Sequence, residues 1–191
     1  MRNRGTGAGG ANTNKSGLQF EDSILGHLKN GQEYDFGTTT LRFFKKGEFL
    51  REMQDLKNVE FQHNKQPDGI YVSKDKKTIF ILELKNQNES GSVDEKLMIG
   101  PGLLYHYKVM YPSIENIHLC YIVNGNFFRQ KKYEVTVNFL KQHNIPVFYA
   151  DTISYKLKMN DLGSSRWSDC MIPFGYRMDH TIIHDWIMSK L

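Results

Sequence analysis

Two short apolar runs on either side of a charged turn form the clearest pattern along the chain. The runs cover residues 70–72 and 78–82, and the turn between them, at residues 74–77, reads Lys-Asp-Lys-Lys. Apolar runs separated by a short polar turn are typical of a β-hairpin. The second run is apolar without interruption after Thr78, which predicts a buried strand.

Apolar residues at helical spacing predict three helices. The first has Asn14 or Ser16 as its cap and ends near Gly31. A Gly-Pro-Gly segment at residues 100–102 interrupts or staggers the second. The second and third helices are expected at residues 93–109 and 131–142, and the third directs Val135, Val137, Phe139 and Leu140 toward the core.

Further strands are expected where β-branched and aromatic residues cluster. The run at 117–123 is continuously apolar, as in a central strand that lies parallel to its neighbour across a helical crossover. Residues 49–56 fit either a helical turn or a strand. The remaining strands are expected at 38–44, 59–63 and 146–149. This order of elements predicts an α/β domain in which helices flank a mixed β-sheet.

The length of 191 residues suits one domain with extensions. Residues 1–15 are basic and rich in glycine and asparagine, so we expect a flexible N-terminal arm. Residues 16–150 carry the predicted core, and residues 151–191 form a C-terminal extension that packs on it. This extension contains an apolar helical stripe, typical of a core face or a dimer interface, made of Ile182, Ile183, Trp186, Ile187 and Leu191.

Charge and cysteine content indicate the environment of the protein. The net charge is +4 with a sequence pI near 8.9, and basic residues cluster near the start, in the hairpin turn and at 129–132. This balance suits a polyanionic partner, although solvated lysine turns are also common. Two cysteines give neither a disulfide framework nor a metal cluster. We expect no signal peptide or membrane span, and therefore a cytoplasmic protein.

Acidic and basic residues stand at the open end of the predicted hairpin. Glu83 and Lys85 are two residues apart, so they project from the same face of the strand, while Leu84 points the other way. Asp68 precedes the partner strand and can lie beside Glu83. Two neighbouring carboxylates repel each other unless a cation lies between them, and Mg²⁺ prefers such oxygen ligands. A lysine beside this site can stabilise a phosphorane-like transition state or help to deprotonate a water.

This spacing resembles the PD-(D/E)XK nuclease superfamily, and type II restriction endonucleases in particular. Pro67-Asp68 is followed by fourteen residues and then by Glu83-Leu84-Lys85. The resemblance implies a restriction-endonuclease-like fold, one or two Mg²⁺ ions held by Asp68, Glu83 and the main-chain carbonyl of Leu84, and Lys85 as the catalytic lysine. It also makes Glu21 on the first helix a candidate third carboxylate, but a surface glutamate fits this position equally well. The alternative is a hairpin in which Glu83 and Lys85 merely pair.

Polar residues after the hairpin are candidates for contact with DNA. Ser92 is a plausible cap of the helix at 93–109, and the free N–H groups of a helix start beside a catalytic strand can bind phosphate. Ordinary loop polarity would produce the same pattern. The candidates are Gln87, Ser90, Ser92, Lys96 and, in a basic loop of the extension, Arg166.

The sequence therefore predicts a Mg²⁺-dependent endonuclease that acts on double-stranded DNA. A sequence-specific type II restriction enzyme is the leading interpretation, and a homodimer is expected because one small catalytic domain has to cut two strands. A structure-selective nuclease of repair or recombination would use the same site. A non-catalytic DNA-binding module of the same fold is a third alternative.

Overall fold

Seven strands form one mixed sheet in which strands that follow each other along the chain also lie side by side. The computed structural model describes residues 8–58, 60, 65–87, 93–156 and 171–191, and within these ranges it is a single α/β domain with seven α-helices. None of these helices is long and apolar enough to cross a membrane. The strands are β1 (Glu33–Phe36), β2 (Thr39–Phe44), β3 (Gly69–Ser73), β4 (Thr78–Lys85), β5 (Asn116–Asn124), β6 (Val147–Lys156) and β7 (Met171–Arg177). The helices are α1 (Ala8–Leu25), α2 (Lys46–Glu52), α3 (Val93–Met98), α4 (Gly100–Met110), α5 (Gly125–Phe128), α6 (Glu134–Gln142) and α7 (Thr181–Met188).

The sheet changes from antiparallel to parallel pairing at β4. Strands β1 to β4 pair antiparallel, β4 to β6 run parallel, and β7 pairs antiparallel with β6. Parallel neighbours need a crossover between them, and helices α3 and α4 provide it for β4 and β5. The predicted hairpin and the predicted central parallel strand are both confirmed.

Two apolar clusters cover the two faces of the sheet. Helices α3, α4 and α6 pack on the face that contains Ile79 and Ile81. Helices α1 and α7 pack on the other face, which contains Phe80, Leu82 and Leu84. Because successive residues of a strand point to opposite faces, β4 contributes to both clusters. Its residues from Ile79 to Leu82 are at most 1% exposed, so the prediction of a buried strand is confirmed.

The first helix starts and ends earlier than the sequence indicates. It begins at Ala8, before the expected caps Asn14 and Ser16, so part of the expected arm is helical. Once a helix has formed, each further residue gains a hydrogen bond while only its own backbone becomes fixed. Polar residues without a core contact can therefore extend the helix toward the N-terminus. The helix ends at Leu25, where Gly26 permits a close turn, because a Cβ at this position would clash with the main-chain oxygen of Asp22.

The other helices follow the prediction with one correction. Residues 49–52 belong to α2 and residues 54–56 to a short 3-10 helix, so this stretch is not a strand. The break between α3 and α4 falls at Ile99, one residue before the expected Gly-Pro-Gly segment, which forms the first turn of α4. The expectation that Val135 faces the core is wrong, because its side chain is 76% exposed. Thr136 takes the buried position instead, since it lies one turn before the fully buried Leu140.

Two edge strands have no counterpart in the sequence prediction. Strand β1 pairs with the predicted strand β2, and β7 pairs with β6, which itself continues beyond the expected end at Tyr149. The strand expected at 59–63 lies outside the described residues except for Glu60, which is in a turn.

Helix α7 belongs to the core of the domain. Ile183, Trp186 and Ile187 are at most 9% exposed and pack in the cluster beneath α1. The stripe expected in the C-terminal extension therefore places these three side chains inside the domain, where they are not available for contact with a second chain. Ile182 and Leu191 remain 42% and 49% exposed.

Candidate active site

The ends of β3 and β4 bring Asp68 and Glu83 together. In the register of this hairpin Gly69 lies opposite Leu82, so Asp68, the preceding residue, lies opposite Glu83. The main-chain N–H of Leu84 donates a hydrogen bond of 2.8 Å to Oδ2 of Asp68 and holds this carboxylate against the end of β4. The two carboxylates selected from the sequence are therefore neighbours.

Lys85 lies between these two carboxylates. Its Nζ donates to Oε2 of Glu83 at 2.8 Å and to the main-chain oxygen of Leu84 at 3.0 Å, and it lies 3.7 Å from Oδ2 of Asp68. Glu83 and Lys85 can pair because they project from the same face of β4. One positive charge is thus surrounded by three oxygen atoms, and these atoms belong to the residues expected to bind Mg²⁺.

Burial and mutual attraction set the charges of the site. The side chain of Glu83 is 13% exposed, and those of Asp68 and Lys85 are each 24% exposed. Burial raises the pKa of Glu83; Lys85 opposes this increase and Asp68 adds to it. Burial alone would lower the pKa of Lys85, but the two carboxylates outweigh it and raise the pKa. Lys85 therefore stays protonated at neutral pH, which favours a role as a fixed positive charge over a role as a base.

Two buried tyrosines lie on the face of the sheet to which Glu83 projects. Tyr121 is opposite Glu83 in the parallel register of β4 and β5, and its ring centre is 6.0 Å from Nζ of Lys85. Tyr107 of α4 is 1% exposed, and the charges of Glu83 and Asp68 both act on its hydroxyl group. Sequence reasoning missed both tyrosines, because an aromatic residue among apolar neighbours gives the same pattern whether it only packs or also contributes to a site.

The oxygen atoms around Lys85 fit a Mg²⁺ ion. Proteins often bind this ion through one or two carboxylates and leave its other positions to water and substrate phosphate. Asp68 and Glu83 supply two carboxylates, and the carbonyl of Leu84 supplies a third oxygen. The described ranges contain no group of three or more acidic, histidine or cysteine side chains that could hold a metal. A bound ion would therefore complete its coordination with water or phosphate.

Glu21 does not join the two carboxylates. Its oxygens lie 2.7 and 2.8 Å from Nζ of Lys46, with which it forms an ion pair. The helix that carries it packs on the face of the sheet opposite to Lys85. The main-chain N–H of Lys46 donates to the carbonyl of Pro67 at 3.1 Å, so the pair supports the segment that leads to Asp68. Glu21 is thus an ion-paired residue whose side chain is 19% exposed, which also differs from the surface glutamate of the alternative interpretation.

Asn124 connects the end of β5 to the segment that follows the site. It is 2% exposed, and its Nδ2 donates to Oδ1 of Asn86 and to the carbonyl of Gln87, at 3.1 and 3.2 Å. Its Oδ1 accepts a hydrogen bond from the main-chain N–H of Asn126, which caps α5. Sequence reasoning did not select Asn124. The available signal was a polar residue that ends an otherwise apolar strand.

The candidates for DNA contact are only partly described. Lys96 is an exposed residue of α3, and its main-chain oxygen accepts a hydrogen bond of 3.5 Å from the hydroxyl of Tyr121. Gln87 comes two residues after Lys85, and its main-chain carbonyl accepts a hydrogen bond from Asn124. The other three candidates lie outside the described residues: Ser90, Ser92 and Arg166.

Comparison of the chain with protein-family models, with curated proteins and with solved structures found no match in any of the three. Any functional interpretation therefore depends on the geometry and chemistry of the site.

Proposed function

We propose that the protein is a Mg²⁺-dependent DNA endonuclease with a restriction-endonuclease-like fold, and that it hydrolyses phosphodiester bonds at the Asp68–Glu83–Lys85 site. One observation carries this proposal. Two carboxylates, a main-chain carbonyl and an ammonium group converge at the ends of two neighbouring strands, with Nζ of Lys85 within 2.8 to 3.7 Å of the three oxygens. This is the donor set that a metal-dependent phosphodiesterase needs.

Each residue of this set has a defined task in the proposed reaction. Asp68, Glu83 and the carbonyl of Leu84 would hold the metal. When bound, Mg²⁺ polarises the scissile phosphate and lowers the pKa of the attacking water. Lys85 is held as a cation by both carboxylates, so it can orient that water and offset the negative charge that develops on the phosphate.

Charges around the site support a polyanionic substrate. Lys65 is exposed, and its charge acts on Glu83. Lys96 is exposed on α3, on the face of the sheet to which Glu83 and Lys85 also project. Lysines near a buried site attract phosphate groups and raise the local concentration of a nucleic acid.

Burial of the charged residues argues against a module that only binds DNA. Desolvation of two carboxylates and an ammonium group opposes folding, and hydrophobic residues of similar size would often give a more stable domain. A protein that only binds the phosphate backbone needs exposed cations, and it does not need buried acids beside them. Retention of this costly set is expected where the charges perform chemistry.

Digestion of supercoiled plasmid with and without Mg²⁺ tests the proposal. We expect cleavage only with the ion, and Asp68→Ala or Glu83→Ala should abolish it while DNA binding remains largely intact, because both variants remove repulsion between carboxylate and phosphate. Asp35→Ala is the matched control, since Asp35 is an exposed residue of β1 that hydrogen-bonds to Thr40. Near wild-type cleavage by Glu83→Ala would refute the assignment of the site.

The DNA products distinguish a restriction enzyme from a repair or recombination nuclease and from a module that only binds DNA. A restriction enzyme gives discrete bands that depend on sequence. A nuclease of repair or recombination instead cuts junction or flapped DNA in preference to linear DNA, whatever its sequence. Binding without cleavage under all metal conditions would identify a non-catalytic module.

A further inference from the structure

The hydroxyl group of Tyr107 is buried without a hydrogen-bond partner among the described residues. The residue is 1% exposed and belongs to the apolar cluster between the sheet and α4. Buried polar groups are nearly always hydrogen-bonded in native proteins, because an unsatisfied group loses its contacts with water and gains nothing in return. Packing alone therefore does not explain why the residue at this position has a hydroxyl group.

Tyr107 packs on the face of the sheet to which Glu83 projects, in the same cluster as Tyr121, which lies opposite Glu83 in the register of β4 and β5. Burial raises the pKa of Tyr107, and the charges of Glu83 and Asp68 add to this increase. Tyr111, one helical turn later, provides a contrast: its ring stacks on that of Tyr107 at 6.4 Å, but burial alone raises its pKa, to about 12. The hydroxyl of Tyr107 is therefore a hydrogen-bond donor without a partner in the part of the chain that the structure describes, on the face of the sheet to which Glu83 projects.

A hydrogen-bond donor other than Lys85 would be needed to orient Glu83 if this carboxylate bound a metal. In this structure Lys85 donates to its Oε2. A cation held by Asp68 and Glu83 would compete with the ammonium group for the same oxygens, and Lys85 would then turn toward the phosphate. Carboxylates that bind metals are usually oriented by hydrogen bonds from neighbouring groups, and loss of such a partner typically weakens metal binding or activity by about 10- to 100-fold.

We propose that Tyr107 is a positioning residue, whose hydroxyl donates a hydrogen bond to the Glu83 carboxylate when Asp68 and Glu83 hold a divalent cation. This inference rests on the proposed function, since it assumes that the site binds Mg²⁺. It explains why a tyrosine stands where phenylalanine would fill the same space without an unsatisfied hydroxyl.

Two matched variants test the inference on the full chain. Tyr107→Phe and Tyr111→Phe each remove one hydroxyl from a buried tyrosine of α4 or its end, but only the hydroxyl of Tyr107 is buried without a partner within the described ranges and is affected by the charges of Glu83 and Asp68. Titration calorimetry with Mg²⁺ alone should show a dissociation constant about tenfold higher for Tyr107→Phe and little changed for Tyr111→Phe. Without metal, the melting temperature of Tyr107→Phe should stay the same or rise by roughly 2–4 °C, because an unsatisfied group has been removed.

The outcomes distinguish this inference from the proposed function. If the wild-type chain does not bind Mg²⁺, the proposed function fails. If the wild type binds Mg²⁺ and Tyr107→Phe binds it equally well, the proposed function stands and the positioning role is refuted. A Tyr107→Phe variant that melts several degrees lower without metal would also refute it, because the hydroxyl would then stabilise the fold itself.

Discussion

Lys85 is held in place by the same oxygens that are proposed to bind the metal. Its ammonium group lies 2.8 Å from Glu83 and 3.7 Å from Asp68, and both carboxylates raise its pKa. In the structure it offsets a repulsion that would otherwise destabilise the hairpin end. A metal held by Asp68 and Glu83 would offset this repulsion instead, and the charge of Lys85 would then be available to the phosphate.

Lys85→Ala should lower the cleavage rate by on the order of 10²-fold or more, the effect of removing one electrostatic stabiliser from a transition state. Affinity for Mg²⁺ and for DNA should change far less, because both carboxylates remain. Single-turnover cleavage across a Mg²⁺ titration measures both effects. Lys77→Ala is a suitable control, since Lys77 is 54% exposed and pairs with Glu115 at the surface. A Lys85→Ala protein whose rate returns when Mg²⁺ is raised would show that the lysine assists metal binding rather than the reaction.

The main residues of the site can be predicted because local rules place them. Glu83 and Lys85 share a face through the two-residue period of a strand, and a short hairpin brings Asp68 back to the same end. Tyr107 and Asn124 come from separate elements, and only the packing of α4 and β5 beside β4 brings them close. A single sequence contains no periodic signal for such contacts.

At the scale of the elements, amphipathic patterns indicate that a face is covered but do not identify what covers it. The stripe on α7 fitted both a core and a dimer interface. In the structure the face with Ile183 and Ile187 packs against residues of α1 and β4. Strands β1 and β7 were missed for a different reason. They lie at the edges of the sheet, β1 contains two acids, and β7 contains Pro173 and Gly175, which are tolerated at edges but weaken the strand pattern.

Two isoleucines of α7 give a matched test of this arrangement. Ile187 is fully buried and Ile182 is 42% exposed. Ile187→Ala should lower the free energy of unfolding by about 2–5 kcal/mol, because it leaves a cavity in the core. Ile182→Ala should change it by no more than about 0.5 kcal/mol. Urea unfolding measures both values. An equal loss for the two variants would contradict the position of the helix.

At the scale of the whole molecule, the described residues provide one Asp68–Glu83–Lys85 site per chain, whereas a duplex has two scissile strands. The two strands of DNA are related by approximate twofold symmetry, so a second copy of the chain is the simplest source of a second site. The buried side chains of α7 are not available for an interface, so the homodimer expected from the sequence would have to use another surface or form on the DNA itself.

The Asp68→Ala protein allows this assembly to be measured without cleavage. We expect sedimentation velocity on a short duplex that contains one cleavage site to show two chains of 22.3 kDa bound per duplex. In parallel, wild-type protein should convert supercoiled plasmid directly to linear DNA, because two sites act within one complex. At low protein concentration nicked circles should accumulate, since single chains then meet the DNA one at a time. A one-chain complex together with direct linearisation would contradict the dimer, because a single site would then cut both strands in one encounter.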